Sequence, residues 1–241
     1  MAESSISLIA PEAYLELGGI VIPPDPDIVT PVVRRAILDK RFEAPKAALV
    51  SGLVRPGDRV LEIGAGIGYV TALLARERRV SSVLAVEANP RLIDYMARLH
   101  ARNRVRKVRR LNAVLTNAPT DHASFYLRRD FWAGSLSPGP LPHVGKVSVR
   151  ARNLDALLRD EGVNLIVCDV AGSEPGMFEG ADLTGVDRIL VELHVDLIGL
   201  AGVRTVFGVM DSQGFVYEPR HSTGSVVVFQ RLDPATTGRP A

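Results

Sequence analysis

Short apolar runs alternate along most of the chain with stretches in which apolar residues recur every three or four positions, the signature of strands interleaved with amphipathic helices. Helical spacing covers residues 31–40 and 45–53, the second closing at the turn-forming "RPGD". "RVLEI" predicts a strand, residues 68–77 a helix, and "SVLAVE" the next strand. "NPRLIDYMARLHARN" predicts a helix capped by Asn89, with Pro90 at its first position, where a missing N–H loses no hydrogen bond. "VRRLNAV" is the third strand. Between 114 and 152 the rhythm breaks: "SFYLRR" and "KVSVRA" alternate like exposed strands, joined by a Gly/Pro-rich loop through "WAGSLSPGPLP". The alternation then resumes with a helix at 153–160, the strand "VNLIVCDV", a helix near 174–182 and the strand "RILVEL". A helix at 200–212 and the strands "GFVYEP" and "GSVVVFQRL" complete the chain.

Strands that alternate with helices predict a parallel sheet covered on both faces. No helix separates the final two strands, so they should run antiparallel. The expected fold class is α/β, with a mostly parallel seven-stranded sheet, a terminal antiparallel strand and helices on both faces. Residues 1–41 carry a mixed pattern interrupted by the stiff "PPDPD" and form an N-terminal segment, read as a lid or linker. Residues 42–232 form the main domain, with an inserted strand pair near 123–150, and residues 233–241 are a tail.

Composition adds limits. The 241 residues, 46% hydrophobic and 23% charged, suit one globular domain with ample core. A formal charge of +2 gives no general pull toward nucleic acid or membrane. The single cysteine, Cys168, lies in an apolar run and fits a buried thiol in a reducing cytoplasm. No signal peptide or bilayer-length apolar stretch is evident, so a cytoplasmic location is expected. Whether the chain forms homo-oligomers stays open.

The candidate chemistry starts at "LEIGAGIGYV". Gly64, Gly66 and Gly68 let the backbone bend tightly just where a strand stops, so that a ligand can lie against it. A dinucleotide fingerprint would need glycine where Tyr69 stands, and a phosphate-cradling Gly-Lys-Ser/Thr loop is missing. In such sheets ligands bind beyond the carboxyl ends of the strands, and Glu62, Glu87, Asp169 and Glu192 each close a strand-like run there. Glu87, about twenty residues beyond the glycines, suits a ribose diol, since two hydroxyls can donate to its two oxygens.

These residues also carry a family resemblance. "VLEIGAGIGYVT", "VLAVEANP" and "LNAV" resemble the first three motifs of class I S-adenosylmethionine-dependent methyltransferases. "LDALLRDEGVNLIVCDVAGSE", "GADL" and "RILVELH" resemble the FkbM family of O-methyltransferases acting on natural products and sugars. The similarity runs from about Phe42 to Phe229. It implies a Rossmann-like class I methyltransferase fold, S-adenosyl-L-methionine as cofactor and a small-molecule hydroxyl as acceptor. It further implies that Gly64, Gly66 and Gly68 pass under the methionine part of the cofactor and that Glu87 holds its ribose. Asn112 and Ala113 would edge the adenine, and Glu62 would brace the loop or reach the methionine amine. Asp169 would face the transferring methyl group. The family pattern Asp-x-Glu-Gly-x-Glu is broken here by Ala171, while Asp169, Gly172 and Glu174 remain.

His194, just past the fifth parallel strand, is the candidate general base, with Asp169 and Glu174 as catalytic partners. A bland surface histidine fits that position equally well. Trp132, Ser135 and Glu192 are candidate substrate contacts. Asp169, Glu174, Glu192 and His194 could gather a divalent ion, but their spacing is no recognised ligand set, and a metal-free reaction is expected. The basic run "RNRVRKVRR" at 102–110 offers a nucleic-acid surface, with an RNA or other nucleic-acid acceptor as the alternative function. It ends a helix, where cations complement the dipole, and lacks interleaved aromatics, so a solvated face is the better reading. A cofactor-binding module without turnover is the third alternative, suggested by Ala171.

Overall fold

The computed structural model describes residues 13–139 and 142–232. The chain opens with a hairpin, β1 (Leu15–Leu17) and β2 (Ile20–Ile22), followed by helices α1 (Pro31–Leu38) and α2 (Ala44–Leu53). Next come β3 (Asp58–Ile63), α3 (Tyr69–Arg76), β4 (Val80–Glu87), α4 (Pro90–Arg102) and β5 (Val108–Asn112). A small three-stranded sheet follows, made of β6 (Val114–Thr116), β7 (His122–Leu127) and β8 (Gly145–Asn153). The chain continues through α5 (Leu154–Glu161), β9 (Leu165–Cys168), α6 (Glu174–Phe178), β10 (Arg188–Glu192) and α7 (Val195–Ser212). The strands β11 (Phe215–Tyr217) and β12 (Val226–Arg231) end the described fold.

The main sheet has seven strands in the order β11-β12-β10-β9-β3-β4-β5, and β12 alone runs against its neighbours. This is the expected mostly parallel sheet with one reversed strand near its end. Alternation along the central strands divides the core between two faces. Val60, Val83, Leu165, Val167 and Leu190 pack under α2, α3 and α4, while Leu61, Leu84, Ile166, Cys168 and Ile189 pack under α5, α6 and α7. Helix α4 illustrates how local sequence serves this. The Asn89 side chain accepts from the Arg91 N–H at 3.1 Å, Pro90 opens the helix, and Leu92, Tyr95, Met96 and Leu99 form its buried stripe. No helix of the described residues is long and apolar enough to cross a membrane.

Four details depart from the pattern-based expectations. "VRRLNAV" is not one strand: β5 stays in the main sheet, and after Ala113 the chain leaves it as β6 to pair with β8. The inserted pair β7–β8 runs antiparallel, and β6 extends it to three strands. Helix α6 stops at Phe178 rather than near 182, because Glu179 is already extended. The helix expected at 200–212 forms the longer part of α7, and the unexpected part is a short turn from Val195 joined to it across Gly199, which at φ 61°, ψ 178° takes a conformation open to glycine.

The N-terminal segment, expected as a lid or linker, contributes to the core. Ile20, Ile22, Val33 and Ile37 are buried in it. Asn103 ties β2 to the end of α4, accepting from the Val21 N–H at 2.8 Å and donating to the Val21 carbonyl at 2.6 Å. Tyr95 donates its hydroxyl to the Pro23 carbonyl at 2.6 Å. Residues 1–12 of that segment and the whole 233–241 tail lie outside the described residues.

Candidate active site

Register places the candidate residues in one line. Ile63 pairs with both Val86 and Cys168, and Cys168 pairs with Val191, so these four form a row across the carboxyl end of the sheet. Gly64, Glu87, Asp169 and Glu192 each stand one residue beyond it. A strand-ending acid repeated on three strands therefore becomes a single acidic edge. Gly64, at φ 78°, lies so close to β9 that a Cβ would come within 1.7 Å of the Asp169 carbonyl oxygen. Only glycine allows the loop and Asp169 to meet there.

The glycine loop is fastened by the two glutamates before and beside it. Glu87 accepts from the Gly66 N–H and the Asn89 N–H, each at 2.8 Å. Burial pushes its carboxyl up to about 7 against the pull of those backbone bonds. Glu62 accepts from the Thr71 hydroxyl in the first turn of α3, and burial pushes it up to about 8. His100, buried beneath the loop, makes a 3.0 Å hydrogen bond from Nε2 to the Gly68 carbonyl; burial lowers it to about 4, so it is neutral.

The acidic edge is organised by a residue that strand and motif patterns do not single out. Lys46, in the first turn of α2 and buried, reaches Glu43 at 2.6 Å, Glu192 at 2.7 Å and Asp169. Burial works against its charge, and Asp169, Glu43 and Glu192 together outweigh it, holding Lys46 well above the ordinary lysine range. Glu43 caps α2 in a left-handed conformation (φ 54°), and burial raises its carboxyl. The sequence does carry a signal for Lys46: it shares the buried face of α2 with Val50 and Leu53, where a lysine has no reason to be unless it is paired.

His194 lies between two acids. Its Nδ1 is 2.6 Å from Glu174 Oε1, and its Nε2 is 3.5 Å from Asp169 Oδ1. Burial disfavours the imidazolium, but the Glu174 hydrogen bond and the charges of Asp169, Glu174 and Glu192 raise its pKa above the usual value. Glu174 is fully buried and also accepts from the Gly172 N–H at 3.1 Å. It thus holds His194 in place from behind and does not line the cleft.

A cleft opens over Gly64, Gly66 and Glu87, walled by Ala113, Leu115, Phe125 and Met177. Asp169 borders it and also a wider groove that contains Lys46, Glu192 and His194. Trp132 and Ser135 stand between the two and line both. Trp132, 40% exposed, completes an aromatic group with Phe42 and Phe131 at ring separations of 5.6–6.3 Å. Ala113 is part of the cleft wall and Asn112 is not: its amide donates to the Glu87 and Ala88 carbonyls at 2.8 and 3.0 Å and braces the end of β4. Gly68 sits behind the loop, against Met96 and His100. Glu192 is engaged by Lys46 while lining the groove.

The basic run lies apart from this edge. Residues 102–107 precede β5 at the amino end of the sheet, where Lys107 donates to the Val80 carbonyl at 2.7 Å and Arg102 covers the Tyr14 ring. Arg109, early in β5, pairs with Glu161.

Residues 37–118 match the family described as Protein-L-isoaspartate(D-aspartate) O-methyltransferase. No curated protein matches the sequence. Among solved structures, Trm5b from Pyrococcus abyssi aligns with a TM-score of 0.52 at 13% identity, over 92% of this chain and 56% of that one. The chain therefore spans little more than half of that protein's length. TYW2 from M. jannaschii, in complex with AdoMet, aligns with a TM-score of 0.48 at 14% identity, over 92% of this chain and 88% of that one. Precorrin-6y C5,15-methyltransferase from Geobacter metallireducens aligns with a TM-score of 0.47 at 11% identity, over 78% of this chain and 88% of that one. The likeness to Trm5b bears on fold alone, which is α/β and Rossmann-like. The family match covers the glycine loop and Glu87 and supports methyl transfer from S-adenosylmethionine.

Proposed function

We propose that the protein is an S-adenosylmethionine-dependent methyltransferase acting on a hydroxyl of a small, natural-product-like molecule. The observation that carries this reading is the shared edge of the sheet. It sets the glycine loop and Glu87 on one cleft and the Asp169–His194 pair on the groove beside it. The family match ends at residue 118, before Asp169, Glu174, Glu192 and His194, so it describes the cofactor half and leaves the acceptor to the site itself.

The residues of the cleft fit the cofactor. Glu87 keeps lone pairs beyond those taken by Gly66 and Asn89, enough to accept from two ribose hydroxyls. Ala113, Leu115, Phe125 and Met177 offer an apolar slot for a flat ring. Glu62 stays out of direct contact as a brace between β3 and α3. When bound, the cofactor supplies a methyl group already activated on sulfur, which leaves the protein to align, exclude water and manage one proton.

His194 manages that proton. With Nδ1–H donated to Glu174, Nε2 of the neutral ring is directed toward Asp169 and the groove, free to accept from an acceptor hydroxyl. Glu174 and Asp169 then hold the imidazolium. Trp132 and Ser135, on the wall shared by cleft and groove, contact the acceptor body. The segments "LDALLRDEGVNLIVCDVAGSE", "GADL" and "RILVELH" suggest the FkbM family within that class. The missing family acid falls at Ala171, at φ 41° in a turn that borders both the cleft and the groove.

An RNA acceptor would have to reach this groove, whereas Arg102, Arg104 and Arg106 precede β5 at the opposite end of the strands and Arg109 and Arg110 lie along the edge strand β5. Incubation with methyl-labelled cofactor and fractionated cell extract separates the readings. Label should enter the small-molecule fraction in an alkali-stable ether, and label confined to RNA would overturn the proposal. With that acceptor, His194→Ala should slow single-turnover methyl transfer about 100- to 10,000-fold. The wild-type rate should rise with pH and level off above the ordinary histidine pKa, because the ring must lose a proton that its acids help it keep.

A further inference from the structure

The acids at this edge are too many for a general base to work freely beside them. Glu43 comes from the start of α2, Asp169 from the end of β9 and Glu192 from the end of β10. All three converge on one ammonium, which donates to Asp169 and Glu192 and pairs with Glu43 Oε2 at 2.6 Å. Asp169 is the bridge: Oδ2 takes the Lys46 ammonium and Oδ1 faces His194 Nε2. The charged groups facing His194 are Asp169 just after β9, Glu174 on α6 and Glu192 on β10, with Lys46 and Glu43 of the α2 turn one contact further out.

We infer that Lys46 is a positioning residue that sets the proton affinity of His194, by fixing Asp169 and by cancelling the charge of the acids that would otherwise hold the ring as imidazolium. This deepens the methyltransferase reading, in which His194 must be neutral to accept a proton, and its role there rests on that reading. Two effects act in the same direction. The ammonium repels a second positive charge nearby, and it compensates Asp169 and Glu192, which attract that charge. Lys46 does not itself accept the proton, since its own acids keep it charged. Its place on the buried stripe of a helix, rather than in a loop, holds the compensation at a fixed distance.

The test is the titration of His194 in the full chain, followed by NMR of the imidazole C–H signals. The protein has five histidines, and His194→Gln identifies the signal. Lys46→Gln should raise the His194 midpoint by about one pH unit or more, and Lys46→Arg, which keeps the charge, should hold it near wild type. The double variant Lys46→Gln/Glu192→Gln removes one charge of each sign and should return the midpoint toward wild type. If Lys46→Gln alone does not fold, comparing the double variant with Glu192→Gln measures the same Lys46 step, again expected to raise the midpoint. A midpoint that stays put or falls when Lys46 is removed overturns the inference. The titration needs neither acceptor nor turnover, so failure of the methyltransferase reading would show separately, as absence of labelled product with the His194 titration intact.

Discussion

Helix α2 touches a buried charge cluster at each end, and the two are built on opposite plans. At its C-terminus, Arg188 donates to the Leu53 carbonyl at 2.7 Å and forks onto Asp58, at 3.0 Å to Oδ2 and 2.7 Å to Oδ1. That pair has one charge of each sign, and both side chains are at most 2% exposed. At the N-terminus of the same helix, one lysine faces three acids, two of them more than a quarter exposed toward the groove. A pair matched in charge and sealed from solvent joins β3, β10 and α2 and is out of a ligand's reach. An unmatched, partly open cluster keeps charge in reserve where a substrate arrives. Buried charge alone does not mark a site; imbalance beside a cleft does.

The sharpest way to break the comparison is at the sealed end. Asp58→Ala leaves the Arg188 guanidinium buried without its counter-ion and should destabilise the fold by about 3–5 kcal/mol, read as a lower urea midpoint. Replacing both partners, as Arg188→Met with Asp58→Leu, should recover most of that loss, because no charge is left unpaired. Cofactor affinity of the folded fraction should be unaffected in either variant. A change in affinity comparable to the change in stability would mean that the two ends of α2 are not independent.

A second difference is one of proton binding. Glu62 rises from 4.5 to about 8 through burial, so the folded protein keeps a proton that the unfolded chain releases. Between those values the native state binds more protons, and stability must fall as pH rises. The loss should amount to roughly 2–4 kcal/mol between pH 5 and pH 8.5, since a proton held by only one of the two states changes stability by about 1.4 kcal/mol for each pH unit crossed. Glu62→Gln, which keeps the Thr71 partner but cannot ionise, should flatten much of this slope. The raised His194 acts with the same sign: its stabilising contribution is complete below the unfolded histidine pKa and fades as pH climbs through the folded one. An unchanged slope in Glu62→Gln would show that Glu62 is already ionised in the fold.

These contrasts also show where sequence reading works. The row Gly64, Glu87, Asp169 and Glu192 is legible because each residue ends an apolar run, and parallel strands bring such ends together. The sheet and its reversed strand follow from the same alternation. Lys46 is hidden because its partners Asp169 and Glu192 are 123 and 146 residues away along the chain, and only the tertiary fold brings them within reach. Glu174 is legible as an acid but not as a buried one, since its contact with His194 depends on how the short helix α6 meets the start of α7. That the Asn112 amide turns back onto the Glu87 and Ala88 carbonyls is not legible, because motif spacing gives a position and not the direction of a side chain. The break at Gly199 obscures the start of α7, as a local turn overrides the periodicity.

The mildest prediction separates two buried carboxylates of similar appearance. Asp58 has its charge matched within the protein, whereas Glu87 accepts only from neutral N–H groups and borders the cleft. On the proposed reading Glu87 completes its set of hydrogen bonds with the ribose hydroxyls, each worth at most about 1.5–3 kcal/mol because the acceptor is charged. Part of that is offset, since burial has pushed Glu87 up to about 7 and ligand binding must draw on its ionised form. The net loss in Glu87→Ala should therefore be about 1.4 kcal/mol or more, a tenfold fall in cofactor affinity by titration calorimetry. Wild-type affinity should itself weaken as pH drops below about 7, and that dependence should vanish in the variant. The Gly66 and Asn89 N–H groups lose their acceptor as well, so folding must be checked by circular dichroism before affinities are compared. If a folded Glu87→Ala binds the cofactor as tightly as wild type, the ribose is held elsewhere along the edge, and the carboxylate serves only to shape the glycine loop.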